Sequence, residues 1–347
     1  MSMRRSTVSA AFFFLILILQ LVYFMGTSTV GGVVSPTNTS SAVLITVDQS
    51  GKGDFQRIQD AIDAVPPNFS KQVFISINPG VYRERVVVPK EKPWIILSGA
   101  NETTTIITWS GRWDTLQSTT LSIWASNFVG RYLTIQNTYG PGSQALAVSV
   151  FGDSVSFYAC RMLSYQDTLY DMSGRHYYHN CYIEGATDFI FGNALSLFEK
   201  CHIHSISKNG GAITAQKRSS SDENTGYSFL ACKLTGERPR SVILGRPWGP
   251  YSRVVYAYTY MSNAILPQGW SDWHNATRQR TAYYGEYKCY GSGSRSSRRV
   301  KWSHQLTSDE AMPFINKSMI NGSDWLRPLP THFMKADFPL VPRKMDE

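Results

Sequence analysis

The chain has 347 residues, 42% of them hydrophobic and only 17% charged. These values exclude a disordered chain and allow one large core or two ordinary domains. The formal charge of +9 suits an acidic polymer as partner, and the scattered basic residues form no nucleic-acid module; the dense run R-S-S-R-R (295–299) reads as a solvated loop.

The N-terminus pairs M-S-M-R-R with the apolar run 10–25, followed by small residues. Residues 1–26 read as a secretory signal peptide, with an uncleaved anchor as the alternative. A linker over 27–43 follows, and then one domain over 44–347. Six sequons, at Asn38, Asn68, Asn101, Asn275, Asn316 and Asn321, agree with a secreted glycoprotein. In that oxidising compartment five cysteines permit two bridges and a free thiol.

I-Q-D-A-I-D-A-V (58–65) alone has helical spacing, and Pro66–Pro67 stop it. Short β-type runs fill the rest, separated by Gly, Asn, Asp and Ser. Several repeat one another: F-Y-A-C-R-M (157–162), Y-H-N-C-Y-I (178–183), F-E-K-C-H-I (198–203) and F-L-A-C-K-L (229–234). Their cysteines step by 21, 20 and 31 residues. A step of about 20 residues with a strand signature, and no leucine-rich pattern, predicts a solenoid, here a parallel β-helix whose coils stack about 4.8 Å apart. His176, His179, His202 and His204 lie close in sequence, but their spacing within β runs does not converge on an ion, so no metal or other cofactor is expected.

Asp167 follows Cys160 by seven residues, as Asp188 follows Cys181. If the cysteines stack, so do the carboxylates, with Gln144 and Gln166 in a neighbouring register. Two acids that close cannot both ionise freely, so one pKa rises. This is a way to obtain a nucleophile and a protonated acid in one site at mild pH. Read without function, the same aspartates cap turns between coils.

The chain also carries G-V-Y-R-E (80–84), Q-A-L-A-V (144–148), Q-D-T-L-Y (166–170), D-F-I-F-G-N (188–193), I-T-A-Q (213–216) and L-G-R-P-W (244–248). In this order and at these intervals they closely resemble plant pectin methylesterases, over residues 44–338. The resemblance implies an all-β, right-handed parallel β-helix and hydrolysis of the methyl esters of cell-wall homogalacturonan. It implies Asp188 as nucleophile, Asp167 as general acid and base, Gln144 and Gln166 at the oxyanion, and Arg246 orienting Asp188. Thr115 and Trp248 would contact sugar, with Gln144 and Arg246 also at the substrate, and Tyr170 and Phe191 would wall the groove. It further implies a Cys201–Cys232 disulfide, leaves Cys160, Cys181 and Cys289 open, and matches the shorter class without an inhibitor-like pro-domain. The expected partners are the acidic polysaccharide and a proteinaceous pectinesterase inhibitor; the protein is expected to be a monomer at the cell wall. The rival reading is a weakly active wall protein that binds polygalacturonate on the same scaffold. By contrast, Tyr82 and Glu84 of G-V-Y-R-E are expected to brace the helix end rather than to do chemistry.

Overall fold

Three short runs recur in each repeat because the chain turns twice between them, and each turn begins where the backbone must reverse within a residue or two. Ala159, Asn180, Lys200, Ala231 and Lys288, each just before a cysteine of the repeat, have left-handed backbones with φ between 48° and 57°. One left-handed residue breaks the strand sharply. The cysteine behind it is thereby turned inward, which is why the Cys positions mark the coil.

The structure, a computed structural model, describes residues 41–112 and 118–341. The leader, nearly all of the 27–43 linker, Asn38 and Thr115 lie outside them. The described strands form three sheets of 12, 7 and 8 strands, and every pairing between strands is parallel. Successive coils pair in register: Phe157 with Tyr178, Met162 with Ile183, Leu169 with Ile190. The chain therefore winds as the expected right-handed β-helix, each coil giving one strand to each sheet.

Stacking makes identical positions into columns. Phe157, Tyr178, Phe198, Phe229 and Tyr256 are all fully buried. Their rings stack with centroids 4.5–5.6 Å apart and nearly parallel planes. Ring pairs of this kind add to the large apolar area each aromatic buries. Phe198 has a ring on both sides, so Phe198→Ala should cost about 3–5 kcal/mol, read as a lowered urea midpoint with native circular dichroism retained.

The helix Ile58–Ala64 covers the N-terminal end of the solenoid with Ile58, Ala61, Ile62 and Ala64 buried. Both Glu84 carboxylate oxygens accept from the first backbone N–H groups of this helix, Ile58 at 2.9 Å and Gln59 at 3.0 Å. An acid there satisfies orphan donors and the helix dipole, so the expected brace is present. Tyr82 acts beside it, donating to the Asn78 carbonyl at 2.9 Å. Toward the C-terminus the chain returns across the first sheet, where Ile320 and Trp325 pack on Tyr177, Leu195 and Leu197.

The cysteines depart from the expected bridge. All five are free thiols, and Cys160, Cys181, Cys201 and Cys232 are buried. Cys201 and Cys232 are one coil apart, as the pairing of His202 with Lys233 requires. Their thiols instead donate to carbonyls, Cys201 to Tyr178 at 3.4 Å and Cys232 to Phe198 at 3.3 Å. Each sulfur thus has an acceptor in the preceding coil, and burial pushes the Cys201 thiol well up. Asn68, Asn101, Asn275, Asn316 and Asn321 are all exposed. No helix among the described residues is long and apolar enough to cross a membrane.

Candidate active site

The second and third sheets are joined by longer turns, and the two aspartates sit in successive ones. Asp167 lies between the strands Arg161–Leu163 and Leu169–Asp171, Asp188 between Tyr182–Gly185 and Ile190–Gly192. The Asp167 N–H donates to the Thr187 carbonyl at 3.2 Å, and Leu169 pairs with Ile190. The 21-residue interval therefore places the two acids one rung apart, as their spacing predicted. Both have left-handed backbones, φ 63° and 47°, a conformation that Asp and Asn tolerate better than most residues.

Their surroundings separate them. Asp188 is 8% exposed and lies in the fork of Arg246, with Nε to Oδ1 at 2.7 Å and Nη2 to Oδ2 at 2.5 Å. Burial raises its pKa above the ordinary carboxylate value, and the guanidinium opposes that rise. A bidentate fork holds a carboxylate ionised and fixed in direction. Asp167 lacks such a fork. Burial first, and then the neighbouring Asp188 charge, push its pKa up to about 7, against the weaker pull of Arg246 and the Gln166 amide. The pair thus consists of one clamped carboxylate and one acid that holds its proton near neutrality.

Gln166 precedes Asp167 directly. Gln144 is exposed on the preceding coil, beside Ala145, whose N–H donates to the Gln166 carbonyl at 3.2 Å. Gln166 therefore lies one coil before Asp188 and Gln144 two coils before it, in the same row of turns. Around the acids runs an aromatic wall: Tyr170 stacks on Phe191 with centroids 4.5 Å apart, and Phe191 meets Trp248 at 5.9 Å. Leu146 and Ala215 fill the space behind them. The expected groove residues other than Thr115 thus come together on one face.

Four residues escaped sequence reasoning. Trp273 packs beneath the Arg246 guanidinium at 4.0 Å, holding the far side of the fork. Lys217 stands 4.6 Å from the Trp248 ring. Trp124 and Phe151 stack at 3.9 Å and lead to Tyr170, extending the wall by two coils. W-S-D-W (270–273) was the available signal for Trp273, but nothing local ties it to Arg246.

Three of the four clustered histidines have hydrogen-bond partners within the fold. His176 is buried between the Asp171 carboxylate at 2.5 Å and the Gly152 carbonyl at 2.8 Å. His202 and His204 both bond the Thr235 hydroxyl at 2.7 Å. Among the described residues no three His, Cys, Asp or Glu side chains group as metal ligands.

The family model described as Pectinesterase matches residues 44–323. The Arabidopsis thaliana protein named "Putative pectinesterase 11" is 55% identical over 304 residues, covering 87% of this chain and 86% of its own length. Among solved structures, the pectin methylesterase from carrot is 36% identical with a TM-score of 0.78, covering 86% of this chain and 96% of its own. A pectin methylesterase in complex with a hexasaccharide is 27% identical with a TM-score of 0.72, covering 84% of this chain and 99% of its own. With stacked acids, an arginine fork and an aromatic groove on a parallel β-helix that matches over most of its length, this chain belongs to the pectinesterase family.

Proposed function

We propose that this pectinesterase removes methyl esters from homogalacturonan with Asp188 as nucleophile and Asp167 as the group that moves the proton. The observation that carries the assignment is the asymmetry of the pair: Asp188 in the Arg246 fork, Asp167 pushed to about 7.

In the first step an Asp188 oxygen bonds to the ester carbonyl carbon, and the electron pair moves to the carbonyl oxygen. Gln144 and Gln166 supply neutral N–H donors for that oxyanion; one such donor contributes roughly 3–4 kcal/mol in other oxyanion holes. The C–OCH3 bond then breaks as Asp167 gives its proton to the leaving oxygen, because methoxide is too basic to leave unaided. Asp167 is now the carboxylate that takes a proton from water as the water attacks the acyl carbon. Asp188 leaves as carboxylate, and the net reaction is ester plus water giving acid plus methanol. An acid with a pKa near 7 serves both steps, since it binds and releases its proton at similar cost. Tyr170, Phe191 and Trp248 would receive the apolar faces of sugar rings.

The substrate is the acidic polysaccharide of the cell wall, so we place the mature protein outside the cell, with a cleaved leader and glycans on exposed sequons. A proteinaceous inhibitor would approach the same open groove. The test is to incubate the protein with highly esterified homogalacturonan and assay methanol and new reducing ends together. Methanol should appear without reducing ends; reducing ends in proportion would make the enzyme a glycosidase or lyase instead.

A further inference from the structure

The run R-S-S-R-R (295–299) does not behave as one solvated loop. Arg299 is turned inward: its side chain is 3% exposed and that of Glu286 2%. Its Nε and Nη2 donate to the Glu286 carboxylate at 2.8 and 3.0 Å, Nη1 to the Pro267 carbonyl at 3.1 Å and Nη2 to the Gly293 carbonyl at 2.7 Å. Breaking a buried pair of this kind is costly, so Arg299 pins the whole 291–299 turn to the solenoid. The pinned turn presents Arg295 and Arg298, both exposed, into a cavity of about 300 Å³. Arg240 lines the same cavity from an earlier coil. Its backbone is left-handed, φ 52°, and its N–H donates to the carbonyl of Asn263, another wall residue. The lining contains four arginines and no acid, and Glu286 behind it is occupied by Arg299.

The position of this cavity follows from the winding. Arg240 lies in the turn between Lys233–Gly236 and Val242–Gly245. This is the same row of turns, joining second sheet to third, that holds Asp167 and Asp188. Arg240 lies two coils beyond Asp188, Asn263 three and Arg295 four, which is about 10–20 Å along the axis at the strand spacing.

We propose that this pocket is a second binding site for the polymer and takes a de-esterified segment of homogalacturonan. The proposal rests on the substrate class given above. The reaction turns neutral esters into carboxylates, one on each sugar, so its product differs from its substrate in the property that an arginine pocket reads. Guanidinium forks match carboxylates bidentately, and three of them without an internal acid form a local field that a neutral ester chain does not answer. A chain lying along the turn row would have its acidic stretch in the pocket while an esterified sugar sits at Asp188.

The experiment compares the intact protein with the double variant Arg240→Ala/Arg298→Ala. These side chains are exposed, and Arg299 stays in place to hold the turn. Calorimetry with a fully de-esterified oligogalacturonate should show affinity weakened about tenfold in the variant. The difference should shrink at high salt, and Arg240→Lys/Arg298→Lys should recover part of the loss. Methanol release from a short, fully esterified oligomer, which carries no carboxylate for the pocket to bind, should be unchanged. Equal pectate affinity in the two proteins overturns the proposal. So does a loss of the same size for dextran sulfate, which would make the patch merely basic. If the intact protein releases no methanol while pectate binding still depends on these arginines, the catalytic reading falls and the pocket stands.

Discussion

Asp188→Asn should lower methanol release by about 10⁴-fold or more while leaving the coil intact, the scale seen when a nucleophile is removed from an otherwise complete site. Asparagine is nearly the same shape and tolerates the left-handed backbone at this position (φ 47°). What disappears is the negative charge facing Arg246. The amide oxygen can still accept from one arm of the fork, but the second arm loses its acceptor. The pair is partly exposed, with side chains 28% and 11% accessible, so the stability loss should be about 1–3 kcal/mol rather than the larger cost of a dry pair. Single-turnover methanol assays with thermal melts of the same samples check both parts. Turnover within tenfold of the parent would remove Asp188 from the nucleophile role, and collapse of the melt would show that the fork is mainly structural.

Asp167→Asn should separate activity from stability in the opposite sense. Methanol release should fall by about 10²–10⁴-fold, since the leaving group loses its proton donor. Stability should rise, and only at higher pH. The folded-state pKa is raised to about 7 from an ordinary 3.8. Below about pH 4 the carboxyl is protonated in both states and contributes nothing. As pH rises from 4 to 7 the unfolded chain releases the proton and the folded chain retains it, so the free energy of unfolding falls. Above pH 7 the loss levels off at about 4 kcal/mol, from roughly 1.4 kcal/mol per pKa unit. An amide removes this burden, so the variant should melt several degrees above the parent at pH 8 and with it at pH 4. Identical melts at pH 8 would mean that Asp167 is not under strain, and the acid role would lose its basis. Such a trade is expected where a site holds a charge against its surroundings.

The same two aspartates show how far the chain itself could be read. Their 21-residue interval equals one coil, and a solenoid transfers sequence spacing directly to space, so their juxtaposition followed once the repeat was seen. The inward columns followed for the same reason: aromatic, cysteine and aliphatic positions recur at fixed offsets, and each recurrence stacks on the last. Glu84 was expected to brace rather than react, but its donors, the Ile58 and Gln59 N–H groups, are 26 and 25 residues away in sequence, so only the fold named them.

Contacts that skip coils were not legible in this way. Arg246 reaches Asp188 across 58 residues, and its partnership rested on family resemblance rather than on periodicity. Trp273 packs under that guanidinium from the turn of a later coil. The cysteines had the right spacing for a bridge, yet stacked thiols have carbonyl acceptors in the preceding coil, and spacing does not distinguish the two outcomes. R-S-S-R-R carries no local sign that its last arginine turns inward, because the deciding partner, Glu286, sits on a strand whose neighbours come from other coils. What the amino-acid order alone determined was the coil period, the inward columns and the pairing of the two acids, since each depends on one repeating interval. What only the tertiary structure decided was which arginine clamps which acid, which cysteines stay reduced and which basic residues gather around a cavity. Those depend on irregular turns of unequal length, where the repeat no longer dictates where a side chain ends.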